Sequence, residues 1–322
     1  MIKFNKRSSI FILAYLFWMI GIAPFFATER PLIAVIKSRD IALYNIALEG
    51  FNKALKDKGI YANLVQYDIK ASKEEGYKVA AQIKLRKPEL ILTLGSQATK
   101  IAKESIEDIP VVFSMVLNPV DSGLVDSMQS SGNNLTGVSM DIPIRDQFEN
   151  LKMVVPRRVK RIGVLYNPKE TGAVVAQALK VAKEMGLELI VKPVNSKKDV
   201  PEALKELCRR IDVLWSVADS TVFSPQSTRF IILHTLRNRI PFMGLSPSYV
   251  KAGALLALSW DYEDIGRQSG EIAAKVLAGK KPADLPIAAP RKIFLLLNLR
   301  TAEQIGIKIP PDVINRAKEV IR

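Results

Sequence analysis

Two similar α/β lobes, each a doubly wound parallel sheet, are what this 322-residue sequence predicts. Three observations carry that expectation. Short apolar runs alternate with amphipathic stretches from residue 31 onward, the series starts over near residue 160, and the two series match at a nearly constant offset. Strands that alternate with helices of ordinary length form parallel sheets covered by helices on both faces.

The first series opens with Pro31–Lys37 (PLIAVIK), a continuous apolar run of strand length. Asn45–Lys58 places Ile46, Leu48, Phe51, Ala54 and Leu55 on one helical side, and Gly59 stops it. Tyr61–Tyr67 predicts a second strand, Lys73–Arg86 a second helix and Leu90–Leu94 (LILTL) a third strand. Ser96–Glu104 predicts a third helix and Pro110–Leu117 a fourth strand. The second series runs through strand Arg161–Tyr166, helix Gly172–Glu184 closed by Gly186, strand Leu187–Val194 and helix Val200–Arg210. It ends with strand Asp212–Val217, a helix through Phe230–Arg237 and strand Pro241–Leu245. Ile33 matches Ile162, Thr93 matches Ser216 and Pro110 matches Pro241, at offsets of 129, 123 and 131 residues. An order-preserving match of this kind is the mark of an internal repeat.

Two lobes make a cleft, and open parallel sheets hold ligands beyond the carboxyl ends of their strands. The candidate segments are Ser38-Arg39-Asp40, Gly95-Ser96-Gln97 and Leu117-Asn118-Pro119 in the first lobe. In the second they are Asn167-Pro168, Ala218-Asp219-Ser220-Thr221 and Leu245-Ser246-Pro247-Ser248. Their Ser, Asp and Asn residues either cap the helices that follow or converge with helix N-termini on an anionic group. At Gly95-Ser96 and Ala218-Asp219 the ligand reading is preferred: one offers donors to a carboxylate, the other an acceptor for an ammonium. Tyr44, Phe113, Tyr249 and Trp260 are aromatic candidates for the lining, with core packing as the competing assignment.

Other classes find little support. The net charge of +15, from 47 Lys+Arg and 32 Asp+Glu, is scattered, without the basic motif and interleaved aromatics of a nucleic-acid site. One cysteine (Cys208) and one histidine (His234), both in apolar helical patterns, leave no disulfide framework, metal cluster or Cys–His pair to propose. No G-x-S-x-G, H-E-x-x-H, phosphate loop or G-x-G-x-x-G is present, so neither an enzyme nor a cofactor is expected. Residues 1–27 form an export segment, with Lys3, Lys6 and Arg7 before the uncharged run Ile10–Ala27. Ala27 suits a cleavage site and Phe25 does not, so both a cleaved signal and an uncleaved anchor stay open; either one puts the remainder outside the cytoplasmic membrane.

Several motifs point to one family. They are Val111-Val112-Phe113 with Asn118-Pro119-Val120 and Gly123-Leu124-Val125, then Gly132-Asn133-Asn134-Leu135-Thr136-Gly137-Val138-Ser139. Val159–Pro168, Asp261-Tyr262 with Gly266-Arg267-Gln268-Ser269-Gly270, Lys280-Lys281-Pro282-Ala283-Asp284 and Asn298–Pro311 continue the series. Together they resemble the substrate-binding proteins of ABC transporters with a type I periplasmic-binding fold, the family with tryptophan- and tyrosine-binding members. The resemblance implies a three-crossing hinge near Ser139–Pro143, Ser259–Tyr262 and Pro290–Lys292. It implies lobes of residues 30–139 plus 262–289 and of residues 140–261 plus 290–322. Its pocket loops fall on Ser38, Arg39, Ser96, Gln97, Asn118, Asp219, Ser220 and Ser246. The expected protein is a monomer, without a nucleic-acid partner, that binds an amino-acid-like small molecule and delivers it to an ABC permease. A membrane-anchored sensing module that regulates a partner is the alternative. A repressor of the lactose-repressor type shares the fold but needs N-terminal DNA-binding helices where this chain has its apolar segment. The sequence departs from the family pattern at Gly95-Ser96-Gln97, at Ser220 and in the apolar loop Gly244–Tyr249, which bears on ligand specificity.

Overall fold

The computed structural model describes residues 30–156 and 159–322; the expected export segment lies outside them. Strands β1 (Leu32–Lys37), β2 (Asn63–Asp68), β3 (Leu90–Leu94), β4 (Val111–Val116) and β5 (Leu135–Ser139) form a sheet in the order β2-β1-β3-β4-β5, parallel throughout. A second sheet holds β6 (Arg161–Tyr166), β7 (Glu188–Pro193), β8 (Val213–Trp215), β9 (Phe242–Gly244), β10 (Leu256–Trp260), β11 (Ile293–Asn298) and β12 (Glu319–Ile321). Its order is β12-β11-β10-β9-β8-β6-β7, and only the β10–β11 pairing is antiparallel.

Read inward from β7, the second sheet repeats the strand permutation of the first. The repeat extends to single hydrogen bonds. The Pro110 carbonyl accepts from Ile91 N–H, and the Pro241 carbonyl accepts from Leu214 N–H, each at 2.9 Å. These are the offsets of 131 and 123 seen in the sequence. The two terminal strands β11 and β12 are additions that the first sheet lacks.

The helices are α1 (Ala42–Asp57), α2 (Lys73–Arg86), α3 (Ser96–Ser105), α4 (Ile144–Val154), α5 (Pro168–Glu184) and α6 (Val200–Cys208). They continue with α7 (Pro225–Arg237), α8 (Pro247–Ala252), α9 (Tyr262–Leu277), α10 (Leu299–Gln304) and α11 (Pro311–Arg316). Alternate residues of β1 serve two cores. Ile33 and Val35 pack with Leu48, Phe51, Ile265 and Ile272, whereas Ala34 and Ile36 pack with Val79, Ile83, Ala98 and Ile101. Each fully buried branched side chain contributes about 1.5–3 kcal/mol. That double burial explains why the strand reads as an unbroken apolar run.

Local chemistry moved some boundaries. Helix α5 gains a first turn at Pro168, where the Asn167 side chain accepts from Lys169 N–H, and after a kink at Thr171 (φ −127°) it continues from the expected Gly172. Helix α7 starts at Pro225 behind a Ser224/Ser227 capping box. The sequence reading names no strand at β5, β10, β11 or β12 and no helix at α4, α8, α10 or α11.

The chain passes between the sheets three times. It leaves β5 for α4, leaves β10 for α9, and returns from the segment beside β5, where Ala288 bridges Val138, to β11. Helix α9 lies on α1 of the first sheet at backbone contact. A Cβ added at Gly266 would stand 1.8 Å from the Ala47 carbonyl oxygen, one at Gly50 2.0 Å from that of Glu263, and one at Gly270 2.5 Å from that of Phe51. Helix propensity alone favours Ala over Gly by about 1 kcal/mol, so contact decides the sign. Gly266→Ala is expected to lower the melting temperature by several degrees. Gly172→Ala in α5, with no atom within 4 Å of the added carbon, is expected to leave it unchanged or raise it; equal behaviour of the two would refute the packing role.

Candidate functional site

A cavity of about 650 Å³ lies between the carboxyl ends of the two sheets. Leu117 and Asn118 follow β4, Met140 and Asp141 follow β5, Ser216–Ala218 follow β8, and Leu245 follows β9. Ile144 and Gln147 of α4, Thr171 and Val174 of α5, and Trp215 and Trp260 complete its inner wall. The volume suits a small organic ligand, and the wall is mostly apolar, as such sites are.

Two tryptophans are fixed by their own donors. Trp215 Nε1 donates to Gln147 Oε1 at 2.7 Å, and its ring meets Phe148 edge-on with centroids 5.2 Å apart. Trp260 Nε1 donates to the Met140 carbonyl at 2.7 Å, which ties the first crossing to the second. The third crossing is tied to α9. Arg291 holds Asp264 at 3.0 Å and Glu271 at 2.9 Å, and Gln268 Nε2 donates to the Ala289 carbonyl at 3.0 Å. All three crossings are thus cross-braced at the base of the cavity.

The backbone is strained where β4 meets the site. Met115 (φ +61°) bulges the strand and Asn118 (φ +48°) sits in the left-handed region, a conformation that non-glycine residues hold only when their surroundings impose it. The imposing group at Asn118 is Asp141, whose two carboxylate oxygens accept the Asn118 N–H at 2.9 and 3.0 Å. Ser139 Oγ donates to the same carboxylate at 2.7 Å. Burial pushes the Asp141 carboxyl above the usual carboxylate range, against the hydrogen bonds from Asn118 and Ser139.

Of the eight site residues expected from the sequence, Asn118 lines this cavity. Ser38, Arg39, Ser96 and Gln97 gather instead beyond β1 and β3. There Ser38 Oγ accepts from Ala98 N–H at 3.0 Å, and Gly95 (φ +93°) lies where a Cβ would stand 2.1 Å from the Tyr44 hydroxyl. Asp219, assigned to an ammonium, is 2% exposed and off the cavity wall. It accepts from Asn167 N–H (2.6 Å), Thr171 Oγ1 (2.7 Å), Thr221 N–H (3.0 Å) and Val222 N–H (2.9 Å). Those four bonds fill the acceptor capacity of a carboxylate. Ser220 donates from its N–H and hydroxyl to Glu170, at 2.8 and 2.9 Å. Ser246 precedes α8 without a side-chain capping bond, and its hydroxyl pairs with Ser248 Oγ at 2.8 Å. Among the aromatic candidates Trp260 lines the cavity, whereas Phe113 is core and Tyr249 packs with Phe223 and Phe242. Sequence reasoning missed Asp141 and Trp215, the one in a crossing and the other inside the strand run DVLWSV.

Residues 33–321 match the family described as ABC transporter substrate binding protein. The chain belongs to that family. It is a family of extracytoplasmic binding proteins, not of enzymes. The tyrosine-binding protein of Clostridioides difficile is 29% identical over 279 residues, 84% of this chain and 80% of that protein. The ligand-free, open structure of a substrate-binding protein with adhesive properties from Clostridium difficile is 25% identical, with a TM-score of 0.77 over 90% of this chain and 99% of that one. A Streptococcus pneumoniae ABC domain in complex with L-Trp, 24% identical, has a TM-score of 0.62 over 90% of this chain and all of that one. Among the described residues of this family member, no helix is long and apolar enough to cross a membrane.

The raised carboxyl of Asp141 gives a signed pH dependence. Its folded-state pKa lies above the unfolded value, so the native state holds the extra proton and this group's contribution to stability falls as pH rises through that window. Asp141→Asn removes the penalty. Without ligand, the stability difference between variant and wild type is expected to shift in the variant's favour as pH rises through the upper carboxylate range. Urea denaturation at a series of pH values measures it, and a pH-independent difference would contradict the desolvated carboxylate.

Proposed function

We propose that the protein receives an amino-acid-like small molecule in this cavity, outside the cytoplasmic membrane, and passes it to an ABC permease. The observation that carries the reading is the position of the cavity. Its walls come from both sheets and its base from the crossings, so a ligand there touches both lobes and biases their relative arrangement.

Family membership and the names of two relatives support the ligand class. A tyrosine-binding protein matches most of this chain in sequence, a protein crystallised with L-Trp shares its fold, and the part-exposed Trp260 provides aromatic surface suited to such side chains. The higher TM-score of the ligand-free, open structure supports reading the described conformation as the open one.

A ligand that binds only the native state must stabilise it, by about 2.7 kcal/mol when present at one hundred times its dissociation constant. Thermal unfolding of the chain from residue 30 onward, with each of the amino acids at millimolar concentration, tests the reading. A clear rise with an aromatic amino acid is expected. No rise with any amino acid would overturn the ligand class.

A further inference from the structure

At the end of the second sheet opposite the cavity, cations and apolar side chains share one exposed face. Helices α6 and α7 end at the edge where β8 and β9 begin, and those two strands are paired neighbours, Leu214 beside Phe242. Arg209 and Arg210 come just before β8, and Arg237 and Arg239 just before β9, so four exposed arginines gather at one edge. The exposed Lys160, just ahead of β6, joins them: its N–H donates to Asp212, beside Arg210 in the chain, at 3.0 Å.

The nearby carboxylates are engaged elsewhere. Asp212 pairs with Arg161 at 2.8 Å, Glu202 with Lys205 at 3.3 Å and Glu206 with Lys192. Among the described residues none of the four arginines has an ion-pair partner. His234 feels the resulting field: burial, and then the charges of Lys205 and Arg237, hold it below the usual histidine range.

Helix α7 adds apolar surface to that charge. Its Ile231, Ile232 and Thr235 are buried, which turns Arg229, Leu233 and Arg237 outward on the other side. Leu233 is 43% exposed, and the part-exposed Phe230 stacks on His234 with ring centroids 5.6 Å apart. A soluble polyanion would engage the arginines alone. A bilayer with anionic headgroups engages both, the cations at the phosphates and the apolar side chains at the acyl boundary below them.

We propose that this end of the second lobe, carried by Arg209, Arg210, Leu233, Arg237 and Arg239, is a docking surface for an anionic lipid bilayer. The cavity lies at the carboxyl ends of the strands, at the other end of the sheet, so docking leaves it accessible. The surface holds the protein beside its membrane whatever ligand the cavity takes.

Co-sedimentation of the protein as exported with vesicles tests the proposal, using phosphatidylcholine alone and an equal mixture with phosphatidylglycerol. The mixture is expected to bind about tenfold or more tightly, and added salt to weaken it. Replacing two exposed, unpaired side chains, Arg209→Gln with Arg237→Gln, is expected to weaken binding to the mixture about 25-fold, the product of the two charges lost. Leu233→Ser is expected to weaken it about tenfold. Lys56→Gln with Lys58→Gln, the same charge change at the end of α1, is expected to leave it unaltered. Equal binding to both vesicles, or equal losses in the two double variants, would overturn the proposal. So would wild-type binding by Leu233→Ser, which would make the face a general polyanion surface.

Discussion

The fold depends on the approach of α9 to α1. Glycines at positions 50, 266 and 270 let the two helices meet at their backbones, and this contact returns the chain to the first sheet after it has already built most of the second. Without that return there would be one connection between the sheets. With it there are three, and three short segments side by side restrict the relative motion of two lobes far more than one would. The ion pairs of Arg291 with Asp264 and Glu271 then fix the last crossing to the same helix. Exposed pairs contribute little, but Asp264 is buried, and without Arg291 it would keep only the longer pairing with Lys292, at 3.5 Å.

The braces of the crossings are also the edge of the cavity. Trp260 bonds the first crossing and lines the cavity; Asp141 lies in the first crossing and props Asn118, which also lines it. A group that binds at Asp141 therefore acts directly on a segment that joins the lobes. Such an arrangement would let ligand occupancy act on lobe geometry through the segment that carries Asp141. The strained backbone at Met115 and Asn118 fits that picture, since strain tends to collect where function holds the chain in place.

Much of the architecture was legible in the sequence. The offsets that aligned Pro110 with Pro241 and Thr93 with Ser216 foretold equivalent strands, because strand position in a doubly wound sheet is set by local apolar runs that repeat with the fold. The site was less legible. Strand ends point to the face of the sheets where the cavity lies, but in the sequence Asp219 reads as a free acceptor because its four donors, from Asn167, Thr171, Thr221 and Val222, are assembled mostly by the fold. Asp141 was passed over for the opposite reason. It sits in a crossing, which a rule about strand ends does not examine, and its lack of a counter-ion is visible only once the surrounding wall is built. Trp215 was hidden inside an apolar run where the pattern of a buried strand and that of a pocket wall are the same.

In the proposed function, ligand in this cavity draws the two lobes together across the crossings. Small-angle X-ray scattering of the protein with and without a bound ligand tests it most directly. The account predicts a smaller radius of gyration in the complex, with no change in molecular mass. An unchanged radius at saturating ligand would contradict it.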